Sequence, residues 1–377
     1  MRILYVNPHF DAESDTPEKL LRRHFSSASW CRAVAAAGAD EVTVLQRAGA
    51  DAKFTDGPVR YRLVHDGLPP ALPKHTIPRR LLRHAAGLPA DVVHWNGWVG
   101  PAWLLRRSLP PRTALLWQHH GGPPPRALFR PLLRPLFRGV DLMVFTSQEQ
   151  ADEWKRAGVL AAGQATAPVV EATCEFVPAP RAEARRRTGL TGDPALLWVG
   201  RLTRAKDPLT VLRGFAVARP ELPGAHMTFV YQDGELLEEL RRCAGELGVG
   251  EATTFRGAVP RGELDAWYSA ADFFVLGSHR EGSGYALIEA MACGCPPVVT
   301  AIPSFRAIAG ETLAGSFWPP GDARAFARAL FTAGRGADMR AAVLERFRRA
   351  LSPEALGQAA LRAYRLAAGI RSGPRPG

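Results

Sequence analysis

Two glutamates eight residues apart bracket a glycine-rich helix start in Ser278-His279-Arg280-Glu281-Gly282-Ser283-Gly284-Tyr285-Ala286-Leu287-Ile288-Glu289. A carboxylate accepts paired hydrogen bonds from vicinal hydroxyls, which a sugar ring and a ribose both provide. Gly282 and Gly284 let the backbone approach a ligand closely, and the open amides at the start of the helix can hold an anion. With Glu281 before the helix and Glu289 on it, one carboxylate can take each end of an extended ligand. The plainer alternative makes Glu281 a residue favoured by the helix dipole and Glu289 a solvated helix position. A second cluster, Gly200-Arg201-Leu202-Thr203-Arg204-Ala205-Lys206-Asp207-Pro208, joins a strand to a helix. Two fixed cations there, Arg201 and Lys206, could neutralise a diphosphate leaving group without a metal. No Asp-x-Asp pair suited to a divalent ion occurs in the sequence. Surface charge is the alternative for both cations.

Positioning these groups requires short buried strands alternating with helices. The first half offers strands at Ile3 to Val6, Glu41 to Leu45, Val59 to Val64, Asp91 to His94, Ala114 to Gln118 and Leu142 to Thr146, with a helix opening at Thr16-Pro17. There the hydroxyl can cap amides and the proline takes a first-turn site that needs no donor. The second half restarts at Ala195 to Gly200 and continues at Met227 to Tyr231, Thr253 to Arg256, Phe273 to Leu276 and Pro297 to Thr300. Helices are expected from Asp207-Pro208 to Ala218, over Tyr285 to Cys293, over Ala323 to Thr332, and from Ser352-Pro353-Glu354 to about Ala368. This alternation predicts an α/β protein of two Rossmann-like sheets facing across a cleft, with ligands at the carboxyl ends of the strands. The irregular run Val177-Pro178-Ala179-Pro180, followed by Arg185-Arg186-Arg187, marks the expected linker. Domains are therefore expected at 1–180 and 181–350. The last helix and tail, 351–377, are expected to pack back on the first domain and to fray after Arg371.

The two clusters, in this order and on these elements, resemble the donor domain of the GT-B retaining glycosyltransferases of family 4, whose Glu-x7-Glu spacing Glu281 and Glu289 share. Phe255-Arg256-Gly257-Ala258-Val259 and Trp267-Tyr268-Ser269-Ala270-Ala271-Asp272 resemble the segments that precede that motif, so the match covers about residues 194 to 333. The resemblance implies a GT-B fold, a nucleotide-sugar donor and no metal or other cofactor. Glu289 would hold the ribose hydroxyls. Glu281 and the amides near Gly282, Ser283, Gly284 and Tyr285 would hold the sugar and phosphate, with Arg201 and Lys206 on the diphosphate. Transfer would retain anomeric configuration, the departing phosphate taking the acceptor's proton. Ser283 stands where the family has a bulky apolar residue. In the first half, Asp91-Val92-Val93-His94 and Trp117-Gln118-His119-His120-Gly121-Gly122 resemble the family's strand ends, where a histidine faces the transferred sugar. His120 is the better candidate, ahead of His119 and His94, against the alternative of a strand-end histidine bonded to backbone. Asn7-Pro8-His9-Phe10-Asp11 replaces the family's glycine loop.

Composition bounds the remaining classes. At 46% hydrophobic and 22% charged residues, the chain is neither disordered nor an array of repeats. It has no apolar run of roughly 18 residues that could span a bilayer, and it begins with no signal-peptide pattern. Five cysteines without histidine partners fit a reduced compartment, with Cys293 and Cys295 as small buried residues. A cytoplasmic protein, peripheral at most to the inner membrane face, is expected. The net charge is +12 from 43 Arg and 5 Lys against 36 acids. Residues 76–140 hold ten Arg and one acid, 10 − 1 = +9, so the excess lies on the side expected to receive the acceptor. That points to an anionic or lipid-linked acceptor, although an overall preference for Arg over Lys explains the charge equally well. Arg126, Arg130, Arg134 and Arg138 recur every fourth residue among Leu and Phe, as on a membrane-surface helix. Pro131 and Pro135 favour instead an irregular helix with its apolar side in the core. Trp95 or Trp98 could stack on an acceptor. No nucleic-acid module is present. A sugar-nucleotide epimerase-like enzyme on the same scaffold, or a non-catalytic nucleotide- or glycan-binding protein, are the competing functions.

Overall fold

The computed structural model describes residues 1–10, 16–68, 77–171, 173–310 and 316–373. Asp11 of the first loop and the last four tail residues therefore lie outside the described part. The chain divides into two compact units. One holds residues up to Glu171 together with the C-terminal helix Pro353–Ser372, and the other runs from Ala172 to Ser352.

The first unit is built on eight strands: β1 (Arg2–Asn7), β2 (Glu41–Arg47), β3 (Ala52–Asp56), β4 (Val59–Val64), β5 (Val92–Trp95), β6 (Ala114–Gln118), β7 (Leu142–Phe145) and β8 (Thr166–Pro168). Their order is β3-β4-β2-β1-β5-β6-β7-β8, parallel except for β3, which pairs antiparallel with β4. Alternation along β1 sends Ile3 and Tyr5 to one face and Leu4 and Val6 to the other, so each face of the sheet has its own core. Tyr5 lies beside Val44 and His94, because β1 is paired on both sides. The helices Phe25–Ala36 and Pro353–Ser372 cover the Ile3 face, with Trp30, Leu356, Leu361 and Tyr364 inside. Thr16 caps the helix Pro17–Arg23 by accepting from the Lys19 amide at 3.3 Å.

The second unit carries β9 (Ala195–Val199), β10 (His226–Val230), β11 (Thr253–Gly257), β12 (Phe273–Leu276), β13 (Pro297–Thr300) and β14 (Phe317–Trp318), all parallel, in the order β11-β10-β9-β12-β13-β14. The chain leaves β9 toward β10 on one side and returns to β12 on the other. The carboxyl ends of β9 and β12 therefore flank the switch point, where the divergence of successive crossovers opens a crevice.

Three short strands, β3, β8 and β14, carry too little apolar alternation to be read locally. The linker expectation needs correction. Glu171 and Ala172 mark the division between units, while Arg181–Thr188 is a helix packed on Leu264–Ala270 inside the second unit. Only Ala184 of that helix is buried, so it has no apolar period. It is held instead by ion pairs from Arg181 and Arg185 to Asp272, and Gly189 ends it in the left-handed conformation.

Candidate functional site

In the second unit the loops after β9 and β12 are tied together at the switch point. The first loop makes a short turn over Arg204–Lys206 and reaches Asp207, whose backbone takes the left-handed conformation with φ 44°. Asp207 caps the helix Pro208–Ala218, accepting from the Thr210 amide at 3.1 Å, and bonds His279 Nε2 at 2.9 Å. The His279 amide donates to the Ala205 carbonyl at 3.0 Å. Gly277 is required at this crossing, since a Cβ there would lie 2.7 Å from the Asp207 carbonyl oxygen.

This crossing brings Lys206 onto Glu281. Their side chains form an ion pair, and the Ser278 hydroxyl donates to the same carboxylate oxygen at 2.7 Å. Thr300 in turn donates to the Ser278 carbonyl at 2.6 Å. Arg201 is exposed and has no ion pair among the described residues, so the two cations differ: one is engaged by a carboxylate and the other faces solvent. Gly284 stands at the start of the helix Tyr285–Ala292 with φ 62°, and a Cβ there would come within 2.5 Å of Ile308 Cδ1. Both conformation and space demand glycine. Gly282, Ser283 and Tyr285 are half-buried around it.

Glu289, one helix length away, is not the solvated residue of the plainer alternative. Its side chain is 5% exposed; Arg261 Nη1 donates to Oε1 at 2.7 Å and the Tyr268 hydroxyl to Oε2 at 3.0 Å. Burial pushes its carboxyl up from the ordinary range, against the opposite pull of Arg261 and Tyr268. The helix thus has one held carboxylate near each end, an arrangement able to bind a polyhydroxylated ligand.

In the first unit His120 follows β6. Its Nδ1 bonds Glu171 Oε2 at 2.7 Å and its Nε2 faces the Asn96 amide group. Gln118 donates to the same Glu171 oxygen at 3.1 Å. A carboxylate on Nδ1 and Asn96 Oδ1 on Nε2 fix the orientation of the ring from both sides. His119 has both ring nitrogens bonded within its own loop, to the Gly122 carbonyl and the Gly121 amide. His94 is fully buried, bonds the Tyr364 hydroxyl at 2.8 Å, and is pushed down to about 3 by burial and then by the charge of His120. It anchors the C-terminal helix through Tyr364. Trp95 is buried too, so only Trp98 remains as a stacking surface.

The Arg126–Arg138 segment departs from the favoured expectation. It forms a short turn and the helix Arg130–Phe137, with Pro135 inside it. Leu133, Leu136 and Phe137 turn to the core, but Leu128, Phe129 and Leu132 are 80%, 50% and 72% exposed. Arg130 is spent on the carbonyls of Pro125 and Ala157, which leaves Arg126, Arg134 and Arg138 outside.

Glu171, Asn96, Arg261 and Tyr268 escaped sequence reasoning. No local pattern marks them, since each acts through a partner at least 21 residues away.

The family model for Glycosyl transferases group 1 matches residues 180–348, and that for Glycosyltransferase Family 4 matches 27–163. A GDP-mannose-dependent alpha-(1-6)-phosphatidylinositol monomannoside mannosyltransferase of Mycobacterium tuberculosis is 32% identical over 66% of this chain and 68% of its own length. The chain belongs to the glycosyl transferases group 1 family. A D-inositol 3-phosphate glycosyltransferase of Thermobispora bispora is 34% identical, over 41% of this chain and only 38% of that one. Sucrose-phosphate synthase from Thermosynechococcus elongatus aligns in structure with a TM-score of 0.71 at 22% identity, over 97% of this chain and 98% of that one, a likeness of fold alone. Glu281 and Glu289 fall inside the first family match and His120 inside the second.

Proposed function

We propose that the chain transfers a sugar from a nucleoside-diphosphate donor to a hydroxyl of an anionic, lipid-linked acceptor, with retention of anomeric configuration and without a metal. The observation that carries this reading is the single helix Tyr285–Ala292 with Glu281 and Lys206 at one end, Glu289 at the other, and the exposed Arg201 on the neighbouring loop. Glu289 takes the ribose hydroxyls, Glu281 and the amides after Gly282 take the sugar, and Arg201 and Lys206 take the diphosphate. The bond between the anomeric carbon and the phosphate oxygen breaks. The acceptor oxygen bonds that carbon on the same face, and its proton passes to the departing phosphate. Lysine and arginine stabilise the leaving charge where it develops.

Thermal melting with UDP, GDP, ADP and their sugars tests the donor half. A ligand bound only by the folded state raises the melting temperature, by an amount set by its concentration over Kd. A rise for one base is the expected result, and a flat response to all three removes the proposal.

The acceptor class rests on charge and on the relatives, whose names specify a phosphatidylinositol monomannoside and D-inositol 3-phosphate. No helix among the described residues is long and apolar enough to cross a membrane. We assign membrane contact to the exposed Leu128, Phe129 and Leu132 with Arg126, Arg134 and Arg138 around them, an apolar patch with a cationic border suited to anionic lipid. The chain should sediment with phosphatidylglycerol vesicles and not with phosphatidylcholine vesicles, and Leu128→Ser with Leu132→Ser should abolish sedimentation. Equal sedimentation of the double variant would move the contact elsewhere.

A further inference from the structure

Each oxygen of the carboxylate assigned to the ribose already accepts a protein hydrogen bond, and its side chain is only 5% exposed. Glu289 accepts at Oε1 from Arg261 and at Oε2 from Tyr268, and a vicinal diol needs these same oxygens. The two protein donors are not alike. Tyr268 is entirely buried on the helix Leu264–Ala270, against Phe274 and Phe176, and its hydroxyl is fixed. Arg261 begins a short surface turn, Arg261–Glu263, and its side chain is 48% exposed while that of Glu289 is 5% exposed. Its guanidinium also lies 5.2 Å from the centroid of the Phe176 ring, so the cation has a second contact that does not depend on the carboxylate.

We propose that Arg261 is a displaceable cap on Glu289, which holds Oε1 in the nucleotide-free protein and gives it up to the ribose hydroxyls of the donor. This rests on the donor-site reading above and adds a positioning residue to it. The physical need is clear: a carboxylate removed from water requires a charged or hydrogen-bonding partner at all times. Before the donor arrives, the guanidinium N–H of Arg261 supplies that partner. When the donor arrives, two neutral hydroxyls replace one arginine contact, and the guanidinium stays on Phe176, close enough to keep the charge balanced. Apparent affinity then equals intrinsic affinity reduced by the fraction of uncapped molecules. The cap costs affinity for any nucleotide with a ribose diol and none for one without it.

The test is calorimetric titration of the full chain with UDP and GDP and with their 2′,3′-dideoxy counterparts, for the wild type, Arg261→Gln and Arg261→Lys. If about a tenth of the molecules are uncapped, Arg261→Gln should bind the ribonucleotide about 10-fold more tightly. Its affinity for the dideoxy nucleotide should not change, and Arg261→Lys, which keeps a cation, should stay near the wild type. A melting curve for each variant separates lost folding from lost binding. Arg261→Gln binding both nucleotides with the wild-type ratio overturns the cap and leaves the donor site standing. Absence of binding by the wild type to either nucleotide overturns the donor reading, and the cap with it.

Discussion

Arg201→Ala combined with Lys206→Ala should lower kcat/KM for sugar transfer by about 10³-fold or more, roughly 4 kcal/mol of transition-state stabilisation. In the proposed reaction a diphosphate leaves with developing negative charge, and these two side chains on the loop after β9 are the cations assigned to it. Single variants should differ in kind. Arg201 is exposed and has no ion pair among the described residues, so Arg201→Ala should remove the proposed phosphate contact and little else. Lys206 is also the counterion of Glu281, whose side chain is only 12% exposed. Lys206→Ala therefore takes the counterion from a largely buried carboxylate that also accepts from Ser278, and should lower the melting temperature as well as the rate. Steady-state kinetics together with melting curves check this. If the double variant transfers sugar within twofold of the wild type, the leaving-group role is wrong.

Gly357→Ala should destabilise the first unit by about 3 kcal/mol, close to 10 °C in melting temperature for a unit of this size. A Cβ at Gly357 would lie 2.1 Å from the carbonyl oxygen of Ala33 and 2.7 Å from its carbonyl carbon. Backbone cannot yield as a side chain can, so the helix Pro353–Ser372 must move off Phe25–Ala36. That movement loosens Leu356, Leu361 and Tyr364 in the core and strains the Tyr364 hydroxyl, which accepts from Trp30 at 2.8 Å and bonds His94 at 2.8 Å. Gly369→Ala on the same helix meets nothing within 4 Å and should be neutral or slightly stabilising, because alanine is the better helix former. Calorimetry should show the loss in one transition only. Wild-type melting of Gly357→Ala would mean that the two helices do not approach as closely as this.

Much of the site was legible because it is written locally. Glu289 sits on a short helix and Glu281 just before its start, and Gly284, Asp207-Pro208 and Thr16-Pro17 signal helix starts through conformations and caps that span four residues or fewer. Buried strands such as Ala195–Val199 and Phe273–Leu276 announce themselves as continuous apolar runs, since a parallel sheet covered on both faces needs them. The misread places lack such marks. The helix Arg181–Thr188 buries one alanine and is held by a distant aspartate. In the segment from Arg126 to Arg138, the same apolar residue types point inward at Leu133 and outward at Leu132.

By itself the sequence determined the α/β alternation, the paired glutamates, the two cations and the family. Tertiary structure alone decided who meets whom: Lys206 with Glu281 across 75 residues, His120 with Glu171 across 51, Arg261 with Glu289 across 28, and His94 with Tyr364 across 270. Periodicity and capping depend on bonds within a turn or two, so a short window contains them. The partner of a buried charge depends on strand order, and on which groups lose their water together when the sheet closes. No window of sequence contains that information.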